Sequence, residues 1–230
     1  MLKYNFLILS LIFSVPGILI YFFRKDLRKP MRILAICSLP FGFTEFLFYP
    51  SYWEPVFLFD LVNYLGFGIE DLIFVMGLSA FTSTAYPFFL KRKLIAINIK
   101  NGISSLKILF LVLACCFFFV FLLDVWKIPM IYGAPILMIL MSIGIMGIRN
   151  DLILPGLLGG LLSTVIYAFL CLVLLLIYPD LFQLTWHTEK FINRNIYGVP
   201  VEELIYGFTS GSIATLFYPF VFRHRYEKII

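Results

Sequence analysis

Charged residues are scarce in this sequence. Only 13% of its 230 residues are charged, against 62% that are hydrophobic, whereas soluble domains carry roughly 25% charged residues. The mean hydropathy is +0.99, and no polar stretch is long enough to build a separate soluble domain. The composition therefore excludes a soluble globular fold, and we predict one membrane domain over residues 1–230.

Residues that bind metals or phosphates are also few. The chain has two histidines and four cysteines, and the cysteines lie in apolar runs without metal-ligand spacing, so we expect no metal site and no disulfide. No aspartate-rich motif of the prenyltransferase kind is present, and Gly66-Phe67-Gly68 is only a fragment of a dinucleotide fingerprint. Nothing here indicates a particular cofactor, which stays unknown. The cysteines are Cys37, Cys115, Cys116 and Cys171.

Long apolar runs are abundant instead. A membrane helix needs about 20 apolar residues, and seven runs approach that length, which predicts an all-α polytopic fold with seven transmembrane helices. The first run lacks a small-residue cleavage site, so we expect a retained helix rather than a signal peptide. The predicted spans are about 4–23, 31–49, 69–90, 106–123, 130–148, 153–178 and 200–222.

Lysine and arginine cluster at one end of these spans. With the N-terminus outside, 14 of the 18 basic residues fall in cytoplasmic segments, as the positive-inside rule requires. We therefore predict a multi-pass cell-membrane protein with a cytoplasmic C-terminus. Topology and anionic headgroups account for the net charge of +5, so we expect no nucleic-acid partner. The four outer basic residues are Lys3, Lys127, Lys190 and Arg194.

The third and seventh spans resemble each other at an offset of 132 residues. Gly68-Ile69-Glu70-Asp71-Leu72 aligns with Pro200-Val201-Glu202-Glu203-Leu204, and Tyr86-Pro87-Phe88 aligns with Tyr218-Pro219-Phe220. Tyr49-Pro50 and Tyr178-Pro179 end the second and sixth spans in the same way. We predict a parallel duplication of spans 1–3 and 5–7, covering about 4–93 and 130–225, with the fourth span as connector.

The repeat places two acidic pairs, Glu70-Asp71 and Glu202-Glu203, at the same depth near the outer face. Acids favour a helix N-terminus, which is one explanation for them. Charged groups at membrane depth usually face the protein interior, which favours a functional site instead. Glu45 lies near the same level, and its repeat counterpart is Leu174. A carboxylic acid held against apolar substrate is a proton donor, so all five acids are catalytic candidates.

Aromatic residues lie at the same outer level. Tyr49, Trp53, Trp186 and Tyr206 are candidates for substrate binding, because aromatic faces stabilise a nearby cation. Ordinary interfacial anchoring explains such residues as well.

The second acidic motif and its surroundings resemble the membrane lycopene cyclase family. Pro200-Val201-Glu202-Glu203-Leu204 matches the Pro-x-Glu-Glu motif at a span entrance, Gly68 departs from it in the first copy, and Tyr52-Trp53-Glu54-Pro55 resembles the loop before the first motif. These proteins occur as two small three-helix subunits or as one fused chain. The resemblance implies acid-catalysed, non-redox cyclisation of lycopene or a related carotenoid, with Glu202 as proton donor or base and Glu70 as its counterpart.

Two functions follow as hypotheses. One is a carotenoid cyclase, an isomerase-type enzyme whose partners are the membrane and an apolar polyene or isoprenoid lipid. The other is a non-catalytic seven-helix binder or carrier of an apolar ligand, in which the acids gate or bind the ligand. The sequence leaves the oligomeric state, the exact substrate and the roles within each acidic pair open.

Overall fold

The computed structural model describes residues 4–97, 104–187, 189 and 192–229. The described chain is mostly helical, with two small antiparallel pairs of strands. Three basic residues used to predict the orientation, Lys3, Lys100 and Lys190, lie outside the described residues.

The helices follow the predicted spans closely in most of the chain. Within the described residues, six helices are long and apolar enough to cross a membrane, counting Ile69–Phe89 as one. The helices are α1 (Asn5–Phe23), α2 (Arg28–Gly42), α3 (Val62–Leu65), α4 (Ile69–Thr82), α5 (Ala85–Phe89), α6 (Ser105–Val125), α7 (Met130–Ile148), α8 (Ile153–Ile177), α9 (Leu181–Thr185) and α10 (Val201–Val221). The strands are β1 (Arg92–Ala96), β2 (Asn195–Ile196), β3 (Val199–Pro200) and β4 (His224–Lys228).

The predicted second span over 31–49 is not one continuous helix. Helix α2 ends at Gly42 after 15 residues, a length of about 22 Å against the roughly 30 Å of a bilayer core. At this end, both the backbone N–H and the hydroxyl of Thr44 donate to the Phe41 carbonyl, which a continuing helix would bond to Glu45. A separate 3₁₀ turn then places Glu45. The predicted count of seven spanning helices is therefore not found in the described chain.

The predicted third span is also interrupted. Helix α4 stops at Thr82, and α5 begins at Ala85. The hydroxyls of Thr82 and Thr84 donate to the Leu78 and Ala80 carbonyls, and such back-bonding bends apolar helices. The corresponding helix α10 runs through to Val221 without a break.

Helix α10 is the central element of the bundle and packs against α8, α7 and α4. Its closest neighbour is α8, because glycines on both helices face small polar side chains. A Cβ atom on Gly159 would come within 2.7 Å of the Thr215 Cβ, and the Ser212 hydroxyl donates to the Gly156 carbonyl at 3.1 Å. Small residues allow membrane helices to approach closely in this way.

The two basic segments that follow α5 and α10 pair with each other in a small sheet. Strands β1 and β4 pair antiparallel, with Leu94 opposite Tyr226. The Tyr226 side chain reaches back into the bundle and donates to the Thr215 carbonyl at 2.9 Å. This sheet joins the segment after α5 to the segment after α10.

An arginine clamps each strand of this sheet. Arg24 pairs with Asp26 at 2.7 Å and also donates to the Arg92 carbonyl on β1 at 2.6 Å. Arg149 forms the corresponding clamp on β4. It pairs with Asp151 at 2.7 Å and donates to the His224 carbonyl at 2.9 Å, and His224 lies 132 residues after Arg92.

Candidate functional site

An elongated cavity of about 290 Å³ lies between α2, α4, α6, α7 and α10. Its lining extends along α10 from Glu203 to Phe217, a distance of about 21 Å at 1.5 Å per residue. Most of the wall is aliphatic, aromatic or methionine side chains. The carboxyl groups are concentrated at the end formed by the N-termini of α4 and α10, so the cavity has one acidic end and one long apolar body.

The two acids of each pair point in different directions. Asp71 and Glu203 line the cavity, whereas Glu70 and Glu202 are not among its lining residues. Successive helical residues are about 100° apart, so one member of each pair faces the bundle and the other faces the preceding loop. The resemblance favoured Glu70 and Glu202, but the cavity is lined by the neighbouring acid of each pair.

Glu70 and Glu202 hold the outer loops. The Glu70 carboxyl accepts the backbone N–H of Leu58 at 2.5 Å, and the Glu202 carboxyl accepts that of Ile192 at 2.9 Å. Both side chains are almost fully buried, with 1% and 2% exposed. The second oxygen of each, Oε2, has no hydrogen-bond partner among the described residues. The first acid of each pair therefore anchors a loop to a helix start.

Glu45 and Asp71 form a pair of carboxyl groups at the cavity wall. Trp53 donates its indole N–H to Glu45 Oε1 at 2.6 Å, and the Gly68 backbone N–H donates to Asp71 Oδ2 at 2.7 Å. Both residues line the same cavity and are mostly buried, with 8% and 3% of their surfaces exposed. Because two negative charges repel each other in an apolar wall, one proton shared by the two acids would be favoured there.

Glu203 has a different environment. Tyr52 donates to its Oε1 at 2.7 Å, Trp186 donates to the same oxygen at 2.8 Å, and Tyr167 donates to Oε2. Three neutral donors directed at one carboxyl group fit its ionised form. Burial and the neighbouring Glu203 carboxyl raise the pKa of Tyr52 well above its usual value, so this phenol stays a donor.

The aromatic candidates divide in a similar way. Trp53, Trp186 and Tyr206 line the cavity, and the Trp53 and Trp186 rings lie 5.0 Å apart where the two outer loops meet in an isolated β-bridge. Tyr49 does not line it, because its ring packs edge-on against Phe57 at 5.7 Å. The proposed substrate-binding role of Tyr49 is therefore not supported by its position.

Two tyrosines that bind Glu203 are the residues of the candidate site that the sequence gave least reason to select. Tyr52 lies in an outer loop where anchoring aromatics are common, and Tyr167 lies in the middle of the apolar helix α8. The signal for Tyr167 is that a buried phenol inside lipid-facing sequence needs a hydrogen-bond partner.

Groups of three or more His, Cys, Asp or Glu residues placed to hold a metal ion do not occur in the described part of the chain. The carboxyl groups of the cavity accept hydrogen bonds from aromatic side chains or, at Asp71, from the Gly68 backbone N–H.

A family model matches part of the chain. The family model described as lycopene cyclase matches residues 129–221, which include α7, α8 and α10 together with Tyr167, Trp186 and Glu203. No curated protein and no solved structure matches the chain significantly. Helix α4 and the acids Glu45 and Asp71 lie outside the matched segment. Residues 129–221, which supply one half of the cavity's acidic end, are thus a lycopene cyclase family domain.

Proposed function

We propose that the protein is a carotenoid cyclase that forms end rings on lycopene or a related polyene by acid-catalysed, non-redox cyclisation in the membrane. The observation that carries this proposal is the convergence of Asp71, Glu45 and Glu203 on one end of a long apolar cavity. The reaction class would be that of an isomerase or intramolecular lyase.

A polyene has no polar groups that an enzyme can bind or polarise, so its reaction has to start with protonation of a double bond. The carboxyl groups at the end of the cavity can supply that proton. A carboxylic acid adds a proton to the terminal double bond, the next double bond attacks the resulting cation, and loss of a proton completes the ring. The substrate gains one proton and loses one, so the product is an isomer of the substrate. The faces of Trp53, Trp186 and Tyr206 are available to stabilise the cation.

The shape of the cavity supports an extended apolar substrate. From its acidic end, the cavity extends along α10 for about 21 Å, so the end of a polyene can meet the acids while the chain behind it lies among apolar side chains. The substrate would enter from the bilayer, and the membrane is its source.

We further propose a parallel duplication of about 4–93 and 130–225 in a seven-span topology, with the N-terminus outside and the C-terminus in the cytoplasm. Helices α1 and α7 each have 19 residues, and an Arg–Asp clamp holds each strand of the β1–β4 sheet. Helix α2 and the 3₁₀ turn after it would together form the short second crossing. These features support the proposal from helix length and contacts.

The test is expression in bacteria that accumulate lycopene, followed by pigment analysis. The wild-type chain should yield cyclised carotenoid, and Asp71→Asn should reduce conversion roughly 100-fold or more, in the range attributed to general acid catalysis. Glu54→Gln, an exposed acid of the same outer region, is the matched control and should keep wild-type conversion. Unchanged lycopene despite verified membrane insertion contradicts the proposal for this substrate.

The alternative is a non-catalytic binder or carrier of an apolar ligand. The mostly apolar cavity would suit either function. A binder with Asp71→Asn should still take up a polyene, and neither it nor the wild type should change the ligand chemically.

A further inference from the structure

We infer that the two halves of the site have different tasks, with the Glu45–Asp71 pair donating the proton and Glu203 stabilising the cation and removing a proton from it. This inference rests on the proposed cyclase function and assigns roles within it. It starts from a difference between two halves whose acidic motifs are otherwise alike.

The difference is Glu45. In the second half the equivalent position is Leu174, whose side chain is fully buried in the apolar core. Asp71 therefore meets a second carboxyl group, whereas Glu203 occupies the same place on α10 and meets the hydroxyl groups of Tyr52 and Tyr167 and the indole of Trp186.

The carboxyl pair is suited to hold and release a proton. Two carboxyl groups on one mostly apolar cavity wall are more stable with one proton between them than with two negative charges. When Asp71 gives that proton to the substrate, Trp53 and the Gly68 backbone N–H remain as donors to the two carboxylates. The pair is thus the proton store of the site.

Glu203 is suited to the opposite task. All three of its donors are neutral, so its negative charge is stabilised by hydrogen bonds without being cancelled by a cation. A carbocation formed in the cavity is attracted to that charge. Removal of a proton from the carbon next to the cation leaves Glu203 protonated and the pair deprotonated. One proton returned to the pair, directly or through solvent, resets the site and balances the reaction.

The first test separates the two tasks by their products. In lycopene-accumulating cells, Asp71→Asn and Glu45→Gln should reduce lycopene consumption, the former about 100-fold or more, and leave the identity of any residual product unchanged. Glu203→Gln should retain more consumption than Asp71→Asn and should shift the product toward ring double-bond isomers or water adducts, because the cation then loses its base. The reverse pattern would overturn the assignment.

The second test does not depend on turnover. Infrared difference spectra of purified wild type minus each variant should show the carboxylic C=O band of a protonated acid for Asp71→Asn or Glu45→Gln, and none for Glu203→Gln. Glu45→Gln is included because Asp71 also caps α4 and its removal can disturb folding. A protonated band assigned to Glu203, or none assigned to the pair, overturns the inference even if the protein cyclises lycopene. If lycopene is unchanged but the band belongs to the pair, the substrate proposal fails and the protonation assignment stands.

Discussion

The direction of each acidic side chain is decided by how its helix begins. Gly68 and Pro200 precede α4 and α10, and the third residue after each, Asp71 or Glu203, faces the cavity. The sequence predicts that acids gather at this depth, because the motif is duplicated. It does not predict which acid of each pair faces inward, since a rotation of 100° exchanges them.

Tyr167 offers a direct test of the Glu203 environment. Tyr167→Phe removes one of three donors to a buried carboxylate, a loss of about 1.5–3 kcal/mol for a hydrogen bond to a charged group. If that energy acts in the transition state, conversion falls roughly 10- to 100-fold. Pigment analysis in lycopene-accumulating cells measures it. Tyr64→Phe, in the outer loop and 81% exposed, is the control. Equal conversion by both variants would contradict the assigned contact.

Substitutions of Glu202 test whether the first acid of each pair has a structural role. Glu202→Leu leaves the Ile192 N–H without its acceptor and should destabilise the protein by about 1–3 kcal/mol, whereas Glu202→Gln keeps a carbonyl oxygen and should cost less. Thermal unfolding in detergent compares the two variants. Glu202→Gln should also keep cyclisation within about tenfold of wild type, a bound well below the losses typical of a general acid or base. If Glu202→Gln lost cyclisation at unchanged stability, Glu202 would have a catalytic role instead.

At the scale of elements, hydropathy predicts where helices lie better than where they break. Six of the seven predicted spans correspond to helices long enough to cross a bilayer. At the breaks after Gly42 and Thr82, threonine hydroxyls bond to nearby carbonyls. Such bonds depend on side-chain rotamers, which an apolar run does not reveal.

The clamp on β4 gives a prediction at this scale. Arg149 is 18% exposed, pairs with Asp151 through two hydrogen bonds and donates to the His224 carbonyl. Arg149→Lys should lower the melting temperature nearly as much as Arg149→Ala, because an ammonium group does not reproduce the planar fork of donors. Thermal unfolding in detergent measures both.

The control for the clamp is on the same sheet. Arg225→Lys alters the pair with Glu227, in which the arginine is 59% exposed, and exposed pairs contribute little stability. Equal melting temperatures for Arg149→Lys and Arg225→Lys would show that the clamp does not hold β4.

For the whole molecule, the sequence predicts the membrane class and the acidic end of the cavity better than it predicts the path of the chain. The length and hydropathy of the spans can be predicted from the local composition of the sequence alone. The cavity depends on how α2, α4, α6, α7 and α10 pack together, and on residues from distant segments such as Tyr52 and Tyr167 meeting at Glu203. That convergence has no local signature.

The number of crossings decides whether the chain ends lie on the same side. Seven crossings place a reporter before Met1 outside and a reporter after Ile230 in the cytoplasm, whereas six crossings place both on one side. Protease protection of an N-terminal epitope and fluorescence of a C-terminal green fluorescent protein, both in intact cells, measure this. Both reporters on the same side would mean that α2 does not cross.

The contact between Trp53 and Trp186 gives the protein an optical property. Two of its three tryptophans stand side by side at the acidic end of the cavity, and the third, Trp126, is 64% exposed and distant from them in sequence. With Trp126 replaced by phenylalanine, all tryptophan emission would come from the pair beside the acids. A conjugated polyene that entered the cavity would accept that energy, so the protein's own fluorescence would report the arrival of its ligand before any bond is made.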